Sequence, residues 1–127
     1  MITADILSAL RRAMHDIASQ KGDFTLFGLF LRADAPGSVW DLVVSAPWLE
    51  AWAIEPINQL AQLLIASMGR ERFLRLASVV ALDETDPFVE TVLTRFPVDD
   101  GELRVHPGNI SRLDLEDAVI LRAKRAA

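Results

Sequence analysis

Ten residues, Phe24-Thr25-Leu26-Phe27-Gly28-Leu29-Phe30-Leu31-Arg32-Ala33, are apolar at odd and even positions alike. Their aromatic richness and the glycine in their midst favour a β-strand over a buried helix. In a strand, Phe24, Leu26 and Phe30 point to one face and Phe27, Leu29 and Leu31 to the other. A strand apolar on both faces must lie inside a sheet that is covered on both sides. Gly28 then marks a bulge or the close approach of another group.

The residues that follow supply a partner. Asp34-Ala35-Pro36-Gly37-Ser38 has proline and glycine at the central positions of a type II turn. A second strand, 39–45, comes directly after it. Trp40, Leu42 and Val44 share one of its faces, and Val39, Asp41, Val43 and Ser45 the other. The pair is read as an antiparallel hairpin. Pro47 ends the strand, and the spacing of Trp48, Leu49 and Trp52 suggests a short helical turn.

Around this hairpin the chain alternates in type. Residues 4–19 repeat Ile6, Leu7, Leu10, Met14 and Ile17 at helical spacing, with Thr3 as N-cap and Gly22 after the end. A second helix is expected over 55–68, with Pro56 in its first turn and Gly69 as its cap. Residues 70–73 could add one helical turn. A β-branched pair, Val79-Val80, favours a third strand over 74–82, with a continuing helix as the alternative. Asp86-Pro87 is a helix-start signal, and that helix ends near Phe96 because Pro97 bars its continuation. Residues 102–106 alternate as a half-buried strand and Pro107-Gly108-Asn109 is read as a turn. The last segment, near 115–125, has both helical propensity and a strand core, and is read as a strand over 117–123 because the turn feeds a hairpin partner. The result is a single α+β domain over 1–127, with a mixed five-stranded sheet, helices packed on it, and the order α-β-β-α-β-α-β-β. A content of 51% hydrophobic residues suffices for such a core without a metal or disulfide.

Composition excludes several functions. The chain has no cysteine, which removes disulfides, thiol catalysis and thiolate metal sites. A net charge of −5 opposes nucleic-acid binding. No apolar window is long enough for a membrane span. The first residues lack the basic start and apolar run of a signal peptide, so a cytoplasmic location is expected. The C-terminal cluster Arg122, Lys124 and Arg125 is read as a solvated tail or, less simply, a contact surface.

Candidate sites are few. His15 and His106 are far apart and neither has a ligand-spaced neighbour, so no metal site or cofactor is expected. No serine sits in a nucleophile elbow, and the glycines do not form a phosphate loop. If strands 39–45 and 74–82 are parallel neighbours, their ends bring Ser45, Pro47 and Trp48 beside Asp83, Glu84, Thr85 and Asp86. Those acids could bind a cation or polar ligand, or could simply cap the following helix. Asp41, among apolar neighbours, could act as a general acid–base group if it faces a pocket, or could pair with Arg32 across the hairpin. Trp40, Trp48 and Trp52, three tryptophans in thirteen residues, are candidates for a protein-binding surface.

Two functional expectations follow. The first is a non-catalytic protein-binding or regulatory module acting as a homodimer, through Trp48, Trp52 and Trp40 or through a sheet edge. In size and acidic charge such a chain resembles secretion chaperones, although the order of its elements differs from theirs. The second is a small-ligand or divalent-metal-dependent enzyme using Asp41, Asp83 and Asp86. A pocket beside the acids favours the enzyme, and a flat apolar patch around the tryptophans favours the binder.

Overall fold

The computed structural model describes residues 2–33, 40–50, 53–99 and 101–125. The Pro36-Gly37 turn and Trp52 fall outside them. The elements are α1 (Ala4–Lys21), β1 (Leu26–Arg32), β2 (Trp40–Ser45), α2 (Ile54–Met68), α3 (Arg70–Phe73), β3 (Ser78–Ala81), α4 (Pro87–Arg95), β4 (Leu103–Val105), β5 (Gly108–Ile110) and β6 (Leu113–Ala123). The expected α+β class, mixed sheet and element order are found, with α3 and β5 added.

The sheet runs β3-β2-β1-β6-β4, and β5 also pairs with β6. β1, apolar on both faces, therefore sits between β2 and β6, where neither of its edges meets solvent. Its antiparallel register with β2 sets Phe30 opposite Asp41 and Leu31 opposite Trp40. β2 and β3 are parallel, with Asp41 opposite Ser78. The β1–β6 register shifts between Phe27 and Gly28, the bulge that the glycine suggested. A Cβ at Gly28 would lie 3.3 Å from the Val119 carbonyl oxygen and 3.2 Å from the Phe30 ring. The glycine thus lets β6 pass close by.

Each face of the sheet has its own core. Phe27, Leu29, Leu42, Val44, Val119 and Leu121 pack under α1 and α2 through Leu10, Ile17, Leu60 and Leu64. Leu26, Phe30, Val43, Ala118 and Ile120 pack under α4 through Phe88, Val89 and Val92. Phe24, expected beside Leu26 and Phe30, instead joins the α1 side. The strand begins only at Leu26, so strand alternation does not govern Phe24.

Two local expectations change, and a third is described only in part. Pro47 and Trp48 form a turn closed by a bond from Leu49 N to Ala46 O, and the rest of the expected helical turn, at Trp52, lies outside the described residues. Strand 74–82 shortens to Ser78–Ala81, because Arg70–Phe73 is helical and Leu74 to Ala77 are turns and bends. The Pro107-Gly108-Asn109 turn is in part β5, and the chain reverses at Ser111-Arg112 instead. Both residues adopt positive φ, 49° and 72°, as a tight two-residue hairpin requires. β6 consequently starts at Leu113, four residues before the expected strand.

Of the C-terminal basic residues, Arg122 is tied into the fold, whereas Lys124 and Arg125 stay exposed in surface ion pairs. The Arg122 side chain is 16% exposed and donates to the Phe24 carbonyl through Nε and to the Asp99 carbonyl through Nη1. Lys124 pairs with Asp99 and Arg125 with Glu90. No helix is long and apolar enough to cross a membrane among the described residues.

Candidate functional site

The α4 face of the sheet holds a groove of about 350 Å³. Its floor is Phe30 of β1, Val43 of β2 and Val80 of β3, and Leu115 of β6 closes the far side. Phe88 of α4 overhangs it and meets Phe30 edge to face at 5.1 Å. Leu113, at the start of β6, lies on the rim and is 43% exposed. The polar members are Arg32, Asp41, Asp86 and Ser111.

Strand alternation puts Asp41 here. It shares the face of Val43, turned away from α1 and α2. Its side chain is 12% exposed, so an unpaired carboxylate would be costly. Two neighbours relieve that cost. Ser78 Oγ donates to Oδ1 at 2.8 Å, and Arg32 Nε lies 3.3 Å from Oδ2. The Arg32 contact is an ion pair lacking hydrogen-bond alignment, since this buried nitrogen has no hydrogen-bond acceptor. The cross-hairpin pairing open to Asp41 in the sequence is thus present, and Ser78 adds a partner that only the parallel register of β3 could reveal.

The acidic segment divides by role. Asp86 caps α4, accepting from Phe88 N at 2.8 Å, while its residue lines the groove. Asp83 folds back on its own turn, accepting from Thr85 N at 3.0 Å and from Thr85 Oγ1 at 2.9 Å. The backbone bond first, and the hydroxyl bond after it, hold its carboxyl below the usual carboxylate range. Glu84 accepts from the buried Thr25 hydroxyl at 2.5 Å. The structure therefore brings Asp41 and Asp86 to one groove, and Asp83 is not part of its lining. No three His, Asp or Glu side chains gather as metal ligands among the described residues.

The tryptophans do not form a common patch in the described residues. Trp40 is buried in the α1–α2 core, and its indole N–H has no partner. It borders a second cavity of about 380 Å³, shared with Asp117 and His106, which contact each other across β4 and β6. Trp48 is half-buried, donates from Nε1 to the Gly22 carbonyl at 2.9 Å and meets Phe24 edge to face. Sequence reasoning missed Leu113 and Ser111 as groove residues, because the hairpin turn between them carries neither glycine nor asparagine.

Fold and site together define an α+β domain with a mixed sheet and a partly open apolar groove on its α4 face. In comparisons with protein-family models, curated proteins and solved structures, nothing matches the chain.

Proposed function

We propose that the protein is a small binding module without catalytic activity, acting in the cytoplasm as a homodimer and holding an apolar element of a protein partner in the groove beside α4. The observation that carries this reading is the unequal cover of the sheet. One face has the 18-residue α1 and the 15-residue α2, whereas α4 has nine residues. The groove lies where that shorter cover stops, and exposed Leu113 extends its apolar surface. Absence of cysteine suits a reducing compartment.

The carboxylates speak for binding over catalysis. Asp41 is held by Ser78 and Arg32, Asp83 by Thr85, and Asp86 by the first turn of α4. Each is engaged in keeping local structure, a role that favours binding over catalysis.

The test is capture of partners from the native cell, with Leu113→Arg alongside the wild type. Partners retained by the wild type and lost by the variant support the reading. The same partners retained by both would remove the groove from it. A second reading, a small-ligand protein, draws on the groove volume and on Asp41 and Asp86 meeting there. Native mass spectrometry of the purified protein separates the two, since a bound small molecule lost in Val43→Trp would favour the ligand.

A further inference from the structure

The two edges of the sheet differ. On the far side of β6 the edge is broken into two three-residue strands, β4 and β5, with Pro107 between them and Arg104 in the first. Such breaks and charges are devices that keep an edge from pairing. The opposite edge, β3, is also short at four residues, but it is unbroken and carries neither proline nor charge. Its residues Ser78-Val79-Val80-Ala81 are uncharged, with Ala77 before them and Leu82 after. β2 is its strand neighbour on one side, and among the described residues no strand pairs with the other.

The segments flanking β3 are opposite in charge. Before it stand Arg70, Arg72 and Arg75 with one acid, Glu71, among them, and after it Asp83, Glu84 and Asp86. Arg72 is occupied by Asp5, but Arg75 forms no salt bridge among the described residues and touches Asp5 only through its field. Arg75 and Asp83 are both exposed. A basic flank, an uncharged strand and an acidic flank are complementary to the same three read in reverse. That is the condition for antiparallel, isologous pairing.

We infer that β3 is the homodimer contact: the β3 edges of two copies pair antiparallel about a twofold axis perpendicular to the sheet, with Arg75 of each set against the acidic turn of the other at Asp83. This deepens the homodimer part of the proposed function and rests on it. Opposed residues in an antiparallel pair share a face. A register with Val79 on the axis therefore sets Ser78 opposite the partner's Val80. It also carries the Arg75 turn toward the partner's Asp83. Val80 and Leu82 line the groove, so the grooves of the two copies would adjoin on one side of a continuous sheet. The module would then present two binding sites to one partner.

Charge exchange tests this directly by sedimentation equilibrium. The wild type should be dimeric at micromolar concentration. Arg75→Asp and Asp83→Arg, each placing like charges at both symmetric contacts, should each weaken the dimer tenfold or more. The two variants mixed in equal amounts should dimerise again, because both contacts of the heterodimer then join opposite charges. Circular dichroism confirms that each variant is folded before mixing. A wild-type monomer would overturn both the homodimer reading and this contact. A dimer that neither substitution weakens, or a mixture that stays monomeric, would overturn the contact alone.

Discussion

Asp41 and Ser78 stand opposite each other in the parallel β2–β3 register and are joined by a hydrogen bond of 2.8 Å from the serine hydroxyl to the carboxylate. The same carboxylate faces Arg32 of β1, so three adjacent strands meet at one acid. Asp41→Ala should cost about 2 kcal/mol, the range for bonds to a charged, largely buried group. Asp41→Asn keeps an acceptor for Ser78 and should cost less. Urea unfolding midpoints measure both, and equal midpoints for Asp41→Ala and wild type would show that this junction does not hold the strands.

Asp86 satisfies the Phe88 amide at the start of α4. Asp86→Ala should lower stability by about 1 kcal/mol through loss of the N-cap. Added magnesium or calcium should leave the thermal midpoint of the wild type unchanged. A rise that disappears in Asp86→Ala would transfer the residue from capping to cation binding.

Gly28 faces the backbone of β6, with Val119 O and Ile120 Cα at 3.3 and 3.4 Å from a would-be Cβ. Gly28→Val should destabilise by roughly 1–3 kcal/mol, because backbone on a neighbouring strand yields less readily than a side chain. Chemical denaturation checks it, and Gly28→Ala should fall between the two.

The Ser111-Arg112 turn points the other way. Arg112 holds φ 72° without being glycine. Arg112→Gly should raise stability by about 1 kcal/mol, since a left-handed residue bearing Cβ pays roughly that. A lower melting temperature for the variant would mean that the arginine side chain contributes more than its backbone costs.

Asp5 and Asp83 contribute to the acid limb of stability. The hydrogen bond from Arg72 depresses the Asp5 carboxyl, and the Thr85 bonds depress that of Asp83. A carboxyl whose folded pKa is lowered adds stability above its unfolded pKa, and loses it as pH falls through the folded value. These contributions should be fully present above about pH 5 and fade below about pH 4. Arg72→Gln should make the acid limb shallower, as should Asp83→Asn, in melting temperatures recorded from pH 7 to pH 3.

What could be read in the chain was its periodic part. Helical spacing located α1, α2 and α4, and two-faced hydrophobicity placed β1 inside the sheet, because those signals sum over many residues. The groove depended on other things. Asp41 offered two environments, a groove and a pair with Arg32, and the fold gives it both, while its further partner Ser78 lies 37 positions away and is brought near by the parallel register. Leu113 reached the rim through a turn built from a serine and an arginine, which bear no mark of the positive φ they adopt. Trp40 suggested a surface because tryptophan often marks one, yet alternation along β2 carried it into the core.

β1 pairs with β2 soon after both are made, but its other neighbour comes much later in the chain. Leu31 meets Asp117, and Gly28 meets Ile120. On the ribosome, where synthesis runs in one direction, β1 must therefore wait with an open, strongly apolar flank while α2, β3 and α4 emerge. Closure over so long a loop is slow, and the waiting species can pair wrongly with its copies. The chain should refold in milliseconds to seconds, and its yield should fall with concentration. The interval before β6 arrives is therefore where mispairing should compete most with folding.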